Sequence, residues 1–434
     1  MALVVQKYGG SSVADAESVK RVARRVVAAR EGGNDTVVVV SAMGDTTDDL
    51  LTLADEVGAR GHSRELDMLL TAGERISMAL LAMAIGDLGC DARSFTGSQA
   101  GVITDAEHGR ARITEVTPRR IRAALDEGAI VIVAGFQGVS QETKDITTLG
   151  RGGSDTTAVA LAAALGADVC EIYTDVDGVF TADPRIVPAA RRIDRIAAED
   201  MLELAAHGAR ILHLRSVEYA RRFGVPIHVR SSFSEKDGTW VTGRAAGKTA
   251  PAGKTAARGG SMEQPVISGI AHDRGQAKVT IGGVPDKTGA AAVIFTALAE
   301  AGINIDMIVQ NASEAATGLT DISFTLEGSD CPTALHVVEG LKDRVGYMDL
   351  RHDDRIGKLS VVGAGMRSHP GVSATLFAAL AETGINIDMI STSEIRISVV
   401  VHIHDLEAAA LAAHSAFGLD TDGAEAVVYA GTGR

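Results

Sequence analysis

Residues 2–12 read ALVVQKYGGSS, and this stretch decides the fold of the region that it opens. Residues 2–6 form a short apolar run, which predicts a buried strand that ends in a turn at the two glycines. Apolar residues then recur at helical spacing between residues 19 and 26, which predicts a helix. Three further Val/Ile-rich runs predict strands at residues 36–41, 129–134 and 168–173. This alternation predicts an open, mainly parallel α/β sheet with ligands near the carboxyl ends of its strands.

The composition is that of a folded chain. At 434 residues we expect about three compact units, and 46% hydrophobic with 23% charged residues excludes a disordered chain. A formal net charge of −14 argues against a general nucleic-acid or acidic-membrane surface. The three cysteines lack the spacing of a disulfide framework or a zinc site, and the chain start lacks the charge order of a secretory signal. The richest apolar stretch, residues 157–170, is too short to span a bilayer, so we expect a cytoplasmic protein with no nucleic-acid or membrane partner.

The second half of the chain repeats itself. Residues 297–308 read ALAEAGINIDMI and residues 379–390 read ALAETGINIDMI, at an offset of 82. Around each copy the pattern runs βαββαβ, which predicts a ferredoxin-like module present twice. We expect GINIDMI to be a strand in both copies, so that Asn304 and Asp306 share one face, as do Asn386 and Asp388.

A low-complexity run, RAAGKTAPAGKTAARGG at residues 244–260, separates the two halves and predicts a flexible linker. The expected organisation is therefore an α/β domain at 1–243, a linker at 244–261, and repeats at 262–350 and 351–434. Exchange of strands between the two repeats is left open.

Two glycine-rich segments are candidate anion sites. Lys7, Gly9 and Gly10 would place backbone amides and an ammonium beside a helix N-terminus, where phosphate binds, although two glycines can also form a plain turn. In RGGSD, which begins at Arg151, the guanidinium could hold a carboxylate or a phosphate. Ser154 is expected to cap a helix over residues 156–165 that ends at Gly166, and Asp155 could be only a first-turn dipole partner.

Three other segments carry polar groups beside apolar elements. The hydroxyls of Ser41 and Thr47 follow the second strand, where they could reach the same cleft or serve the start of a helix. Glu74 lies in an apolar helical stretch and could bind a substrate ammonium or form a structural ion pair. The loop at residues 173–185, YTDVDGVFTADPR, falls short of a calcium-binding pattern, and we expect no protein metal site.

Together these segments resemble aspartate kinases, members of the amino acid kinase family. KYGGSS, SAMGDTT, LTAGERIS, TLGRGGSDTTA and YTDVDGVFTADPR stand in the family's order, and the repeats resemble its regulatory ACT domains. The resemblance implies transfer of the γ-phosphoryl group of MgATP to the side-chain carboxylate of L-aspartate. The product would be 4-phospho-L-aspartate, in the first step of lysine, threonine and methionine biosynthesis.

The resemblance also implies roles for the matching residues. The implied catalytic residues are Lys7, Glu74 and Asp155. The implied ATP-binding residues are Lys7, Tyr8, Gly9, Gly10, Tyr173, Thr174, Asp175, Phe180, Asp183, Arg185 and Arg210. The implied aspartate-binding residues are Ser41, Thr47, Glu74, Arg151, Gly152, Gly153 and Ser154. Phe180 and Arg210 depart from the family, many members of which carry Tyr and Lys there.

By the same resemblance, lysine and threonine would inhibit together at the repeats. The implied effector residues are Asp286, Gly289, Asn304, Ile305, Asp306, Gln310, Val372, Ser373, Asn386, Ile387, Asp388, Thr392 and Ser393. The assembly would be a homo-oligomer, or an α2β2 complex whose smaller chain starts internally at Met262, although Met262 could be a plain linker residue. Two other functions stay open: another amino acid kinase, acting on acetylglutamate, glutamate or a nucleotide, and a non-catalytic amino-acid sensor.

Overall fold

The structure is a computed structural model that describes residues 1–58, 63–209, 211–243, 266–311, 317–420 and 427–429, without the side chains of residues 367 and 368. The expected linker, Met262 and Arg210 lie outside these ranges. The chain forms two compact units, the first made of Met1–Met262 with Thr421–Arg434 and the second of Glu263–Asp420.

An eight-stranded sheet forms the centre of the first unit. Across the sheet the strands are β10 (Arg195–Ala197), β12 (Thr239–Thr242), β11 (Ile227–Ser231), β9 (Val169–Thr174), β1 (Leu3–Tyr8), β2 (Asp35–Val40), β6 (Ile130–Ala134) and β3 (Ala92–Phe95). Neighbouring strands pair in parallel except where β11 meets β12. The prediction of an open, mainly parallel α/β sheet is therefore confirmed. The four predicted strands match β1, β2, β6 and β9 to within two residues at either end.

Helices and a smaller sheet complete the first unit. The helices in its described part are α1 (Ala16–Glu31), α2 (Thr46–Val57), α3 (Ser63–Gly86), α4 (Arg119–Asp126), α5 (Gly153–Leu165), α6 (Ala198–Ala206) and α7 (Leu214–Phe223). The smaller sheet has the order β5 (Ile113–Val116), β4 (Val102–Thr104), β7 (Gln137–Ser140) and β8 (Ile146–Thr148). The predicted helical spacing is confirmed, because Val19, Val22 and Val26 of α1 are buried in one cluster with Val38 and Val40 of β2.

Helix α5 starts earlier than expected. Its N-cap is Gly152, in the left-handed conformation at φ 71°, and Ser154 lies inside the first turn without capping it. The expected cap was wrong because a glycine can adopt that φ without strain, which lets the helix begin before the serine. Gly166 ends the helix as predicted, at φ 69°.

Helix α3 is longer than any apolar stretch that we picked out from the sequence. By length and composition alone its 24 residues could cross a membrane. However, Leu70, Leu81 and Ile85 are buried inside the unit, and so are Asp67 and Glu74 of the same helix. This is the pattern of a core helix.

The second unit contains two antiparallel four-stranded sheets. The first is built from β14 (Gln276–Pro285), α8 (Ala290–Glu300), β15 (Ile305–Gln310), β16 (Leu319–Glu327), α9 (Cys331–Glu339), the short α10 (Lys342–Val345) and β17 (Asp349–Asp353). Its strand order, β15-β16-β14-β17, is the one that the predicted βαββαβ module requires.

The second sheet borrows a strand. It contains β18 (Ile356–Val362), β19 (Met389–Thr392) and β20 (Arg396–His402), with α11 (Val372–Glu382) and α12 (Leu406–Ala416). Its fourth strand is β13 (Gly269–Asp273), which precedes the first repeat and pairs with β18. The module bounds therefore differ from expectation: β13 belongs with the second sheet, β17 crosses the expected boundary at 350, and residues 427–429 belong to the first unit.

The repeated GINIDMI segment differs between the copies. Ile305 opens β15, whereas β19 begins only at Met389, so Asn386, Ile387 and Asp388 precede the strand. Asn304 also lies outside its strand, so strand alternation places neither Asn304 with Asp306 nor Asn386 with Asp388 on one face, and that expectation was wrong. The ladder with β20 begins at the pair of Met389 with Val400.

Two reciprocal ion pairs join the repeats. Lys358 of β18 pairs with Asp306 of the first repeat, and Lys278 of β14 pairs with Asp388 of the second at 3.0 Å. The Lys358 side chain is 1% exposed and that of Lys278 is 22% exposed. The first pair is therefore the more strongly shielded from water.

This asymmetry predicts unequal costs of removing the two aspartates. Asp306→Ala leaves a buried ammonium without a counter-charge and should lower the free energy of unfolding by about 3 kcal/mol. Asp388→Ala, the matched control, should cost about 1 kcal/mol or less. Denaturant unfolding of the full chain measures both changes. Adding Lys358→Met to Asp306→Ala should restore most of the lost unfolding free energy, because it removes the unpaired ammonium. Equal losses of unfolding free energy in the two single variants would contradict the conclusion that the pair of Lys358 with Asp306 is the better shielded one.

Candidate active site

The carboxyl ends of three adjacent strands converge on one edge of the large sheet. After β1, Gly44 N–H donates to Gly10 O at 3.1 Å, and Ser41 N–H donates to Tyr8 O at 3.1 Å. A Cβ on Gly10 would lie 2.8 Å from Gly44 O, so this close approach requires glycine. Gly135, after β6, donates its N–H to Val40 O at 3.0 Å. The structure therefore brings the KYGGSS and SAMGDTT segments together.

An ion pair joins the end of β1 to the start of α5. Lys7 Nζ lies 2.7 Å from Asp155 Oδ1, and the two side chains are only 14% and 10% exposed. Asp155 is thus more than a partner for its own helix dipole. The pair unites the two glycine-rich segments that the sequence singled out separately.

The loop before α5 presents a cation. Gly152 packs against the ring of His213, since a Cβ there would lie 2.2 Å from that ring. Burial lowers the pKa of His213. Arg151, one residue earlier, is exposed. A guanidinium at the N-terminus of a helix is well placed to hold an anion.

Glu74 is a buried carboxylate that is only half satisfied. Its side chain lies on α3, the residue is 3% exposed, and Oε1 accepts from Ala42 N–H at 3.2 Å. Oε2 is buried without a hydrogen-bond partner among the described residues. Desolvation raises the pKa of Glu74 to about 7. No structural ion pair of Glu74 occurs in the described part of the chain, and an unpaired buried carboxylate is suited to bind a cation.

The two predicted hydroxyl residues after β2 lie on either side of the turn that leads into α2. Ser41 is half-buried at the end of the strand, and Thr47 lies in the first turn of α2. The alternative in which these hydroxyls cap the helix does not hold, because the N-cap of α2 is Asp45 and it makes no side-chain capping bond.

The aromatic residues of the predicted nucleotide site belong to the core. Tyr8 and Tyr173 stack at 4.6 Å between ring centroids, and both are almost fully buried. Their hydroxyls donate inward, to Gln6 and to Glu171. Phe180 is buried as well and bridges to Arg192 through its backbone. The side chains of Tyr8, Tyr173 and Phe180 therefore offer little surface to a nucleotide.

Of the other predicted ATP-binding residues in that segment, Arg185 is exposed, and Thr174, Asp175 and Asp183 are half-buried. The Thr174 hydroxyl donates to Asp175 Oδ1 at 2.9 Å. Asp183 and Arg185 form an ion pair at 2.8 Å, and the hydrogen bond to Asp183 raises the pKa of Arg185. Arg210 lies outside the described residues.

The sequence analysis missed Asp67, a carboxylate with 1% exposure on α3. It accepts from Thr148 Oγ1 at 2.5 Å, Thr148 N–H at 3.1 Å and Gly109 N–H at 3.1 Å, and it bonds His108 Nδ1 at 2.7 Å. Thr148 ends β8, just before the loop of Arg151, so Asp67 holds that loop in position. Its spacing of seven from Glu74 along an apolar helix was the available signal.

The predicted effector residues divide into two groups. Asp286 and Gly289 lie in the turn before α8, and Val372 and Ser373 open α11 after Gly371. The others lie at or beside the edge strands: Asn304, Ile305, Asp306 and Gln310 at β15, and Asn386, Ile387, Asp388, Thr392 and Ser393 at β19. The carboxylates of Asp306 and Asp388 are occupied by Lys358 and Lys278.

Comparison with known proteins covers the whole chain. The amino acid kinase family matches residues 2–231, and the ACT domain matches residues 279–340 and 359–417. The aspartokinase of Mycolicibacterium smegmatis is 63% identical over 434 residues, which is 100% of both chains.

Two solved structures of E. coli aspartokinase III share 26% sequence identity with this chain, and each covers 95% of it and 99% of its own length. The R-state complex with aspartate and ADP has a TM-score of 0.79. The T-state complex with lysine and aspartate has a TM-score of 0.70.

The raised pKa of Glu74 predicts a pH-dependent stability. A carboxyl with a folded pKa of about 7 against an ordinary value of 4.5 holds its proton more tightly in the folded state, so it destabilises the fold as the pH rises between these values. Glu74→Gln should therefore raise the free energy of unfolding by about 2 to 3 kcal/mol more at pH 8 than at pH 5. Denaturant unfolding at both pH values is the measurement. Glu65→Gln, an exposed position on the same helix, is the control, and a pH-independent difference for Glu74→Gln would refute the burial argument.

Proposed function

Because the chain belongs to the amino acid kinase family and is an aspartokinase, we propose that its first unit transfers the γ-phosphoryl group of ATP to the side-chain carboxylate of L-aspartate. The products are 4-phospho-L-aspartate and ADP. The observation that supports the assignment of residues is the ion pair of Lys7 with Asp155, at the sheet edge where the glycine-rich loops converge.

The reaction requires positioning and positive charge more than a nucleophilic side chain. A carboxylate oxygen of aspartate attacks the γ-phosphorus, and the bond from that phosphorus to the bridging oxygen of ADP breaks. The attacking group is already ionised, so no general base is needed. Two anions must nevertheless meet, and Lys7 offsets the charge that develops on the transferred group. Asp155 holds the Lys7 ammonium in place until the phosphates arrive.

Aspartate would be bound through its two ends. Arg151 holds the α-carboxylate with its planar fork, at the N-terminal end of α5. Glu74 receives the ammonium, because Oε2 is buried and unpaired. Ser41, Thr47 and the backbone of Gly152, Gly153 and Ser154 complete the pocket by resemblance to the family.

The nucleotide would lie against the turn after β1 and the segment after β9. The Gly10 amide would face the phosphates, whereas the Gly9 N–H donates to Tyr173 O at 3.4 Å. Thr174, Asp175, Asp183, Arg185 and Arg210 complete the ATP-binding set by resemblance. ATP would bind together with Mg²⁺, which would be carried mainly by the nucleotide and would supply positive charge to its phosphates.

A kinetic separation tests these roles. Lys7→Ala should lower kcat by tenfold or more with a folded chain, because about that much catalysis comes from one oriented charge. Arg151→Ala and Arg151→Lys should instead raise the KM for aspartate, since an ammonium cannot reproduce the fork. Coupled ADP release measures all three.

The same assay separates the alternatives. Wild-type ADP release that does not depend on aspartate, or that depends on glutamate or acetylglutamate, would favour another amino acid kinase, and no turnover with any of them would favour a sensor. A Lys7→Ala kcat within about threefold of wild type would remove Lys7 from its role. Arg64→Ala, on the exposed start of α3, is a control for loss of a surface cation.

The second unit is proposed to regulate this activity. Lysine and threonine would bind the repeats together, with their carboxylates at the N-terminal ends of α8 and α11. An effector ammonium has the same chemistry as the side chains of Lys278 and Lys358, so it could compete with them for Asp388 and Asp306. Exchange of these partners would alter the contact between the repeats.

The proposal also includes the cellular setting. The enzyme would act in the cytoplasm, where its three free cysteines are compatible with reducing conditions, and would supply lysine, threonine and methionine biosynthesis. The assembly would be a homo-oligomer or an α2β2 complex with an internal start at Met262. Expressing the natural gene with and without Met262 distinguishes these two assemblies, since only the α2β2 complex requires a short second chain.

Regulation has its own test. Asn386→Ala and Ser373→Ala should relieve inhibition by lysine plus threonine while leaving the uninhibited kcat near wild type. A coupling of about 1 to 3 kcal/mol would produce a 5- to 150-fold effect. Dose–response curves with each effector alone and with both measure it. Full sensitivity in both variants, or a wild type that ignores the pair, would refute the proposed sites.

A further inference from the structure

The chain returns to the first unit after completing the second. Residues 427–429, the returning segment, lie against the loop that follows β9. Val428 forms an antiparallel bridge with Val176, and Tyr429 N–H donates to Asp175 O at 3.0 Å. The returning segment thus adds a short piece of strand to this loop.

The side chain of Tyr429 fastens the same loop. Its hydroxyl donates to Asp177 Oδ2 at 3.3 Å, and its ring stacks on Phe233 with the centroids 5.9 Å apart. Asp177 is 2% exposed and also accepts from Ser234 Oγ at 2.5 Å and Lys236 Nζ at 2.8 Å. A buried carboxylate needs such donors, so losing one of them leaves the loop less constrained.

The loop that is held in this way lies inside the predicted ATP-binding segment. Asp175 O and Asp177 are the accepting groups, and Thr174, whose hydroxyl donates to Asp175, precedes them in the segment. Because the side chain of Tyr173 is buried, a nucleotide would contact the backbone of this loop. Its conformation is therefore set partly by residues that are distant in sequence.

From these contacts we infer that the returning segment positions the nucleotide-binding loop, with Tyr429 as a positioning residue for ATP. The inference rests on the proposed function for the identity of the nucleotide. It also gives the second unit a covalent route to the nucleotide site, because only six residues of chain separate Asp420, the last residue of that unit, from Val427. Displacement of the returning segment would loosen the loop without disturbing the residues proposed to bind the substrate L-aspartate.

Three variants of the full chain separate positioning from simple packing. Tyr429→Ala removes the stacking and the hydroxyl and should raise the ATP KM by about tenfold. Tyr429→Phe keeps the ring and the backbone hydrogen bond and should raise it by about threefold. Val427→Ala, at an exposed position in the same segment, is the matched control and should match wild type. The aspartate KM should stay unchanged in all three.

Direct binding makes the test independent of turnover. The dissociation constant of a non-hydrolysable ATP analogue, measured by titration calorimetry, should rise in the same order as the ATP KM. If Tyr429→Ala binds the analogue as wild type does, or if its aspartate KM rises in parallel, the inference is overturned. Should Tyr429→Ala fail to fold, Tyr429→Phe decides, because it retains the ring. A wild type that binds the analogue but lacks aspartate-dependent turnover would overturn the proposed function and leave this comparison valid.

A separate measurement tests whether the returning segment couples effector binding in the second unit to nucleotide binding. Saturating lysine plus threonine should weaken binding of the analogue to wild type, and Tyr429→Ala should lose most of that shift while still binding the effectors. Effector binding is measured by calorimetry without nucleotide. A shift that is the same in Tyr429→Ala and wild type would show that the coupling does not pass through the returning segment.

Discussion

Parallel pairing of β1 with both β2 and β9 is the constraint on which the site depends. Lys7 is in register with Val39 on one side and Ile172 on the other, so all three strands end at the same edge. The segments that follow β1 and β9 are separated by more than a hundred residues in sequence and by a single strand spacing in the fold. Gly10, packed against Gly44, shows how closely the segments after β1 and β2 approach, and this proximity would let the proposed site contact both phosphates and an amino acid.

The second constraint is that several charged side chains of the candidate site are largely buried from water. A chain of net charge −14 must still hold two anionic substrates, so it needs cations at defined points and not over its whole surface. Lys7 is mostly buried and forms an ion pair with Asp155, while Arg151 remains exposed on its loop. Glu74 is the opposite case, a carboxylate whose burial raises its pKa to about 7 and which is proposed to bind the ammonium of aspartate. Asp67, which is also buried, accepts hydrogen bonds from Thr148 and Gly109.

The duplicated half is one structural body made from two modules. Neither the borrowed strand β13 nor the reciprocal pairs of Lys358 with Asp306 and Lys278 with Asp388 would form within one repeat alone. Met307 and Met389, which are equivalent in the two copies, also share one buried cluster. A ligand that changes one module therefore has direct contacts through which to affect the other, which is what joint action of two effectors requires.

The sequence by itself determined the fold class, the four central strands, the duplicated module and the identity of most candidate residues, because these depend on local periodicity and on short segments of fixed chemistry. The tertiary structure alone decided which groups meet. It paired Asp155 with Lys7, buried Tyr8 against Tyr173, started α5 at Gly153 and not after Ser154, and moved β13 into the second sheet. It also laid Tyr429 on the loop of Asp175. These contacts join residues far apart in the chain, and no local pattern specifies a partner whose position is set by the packing of everything between them.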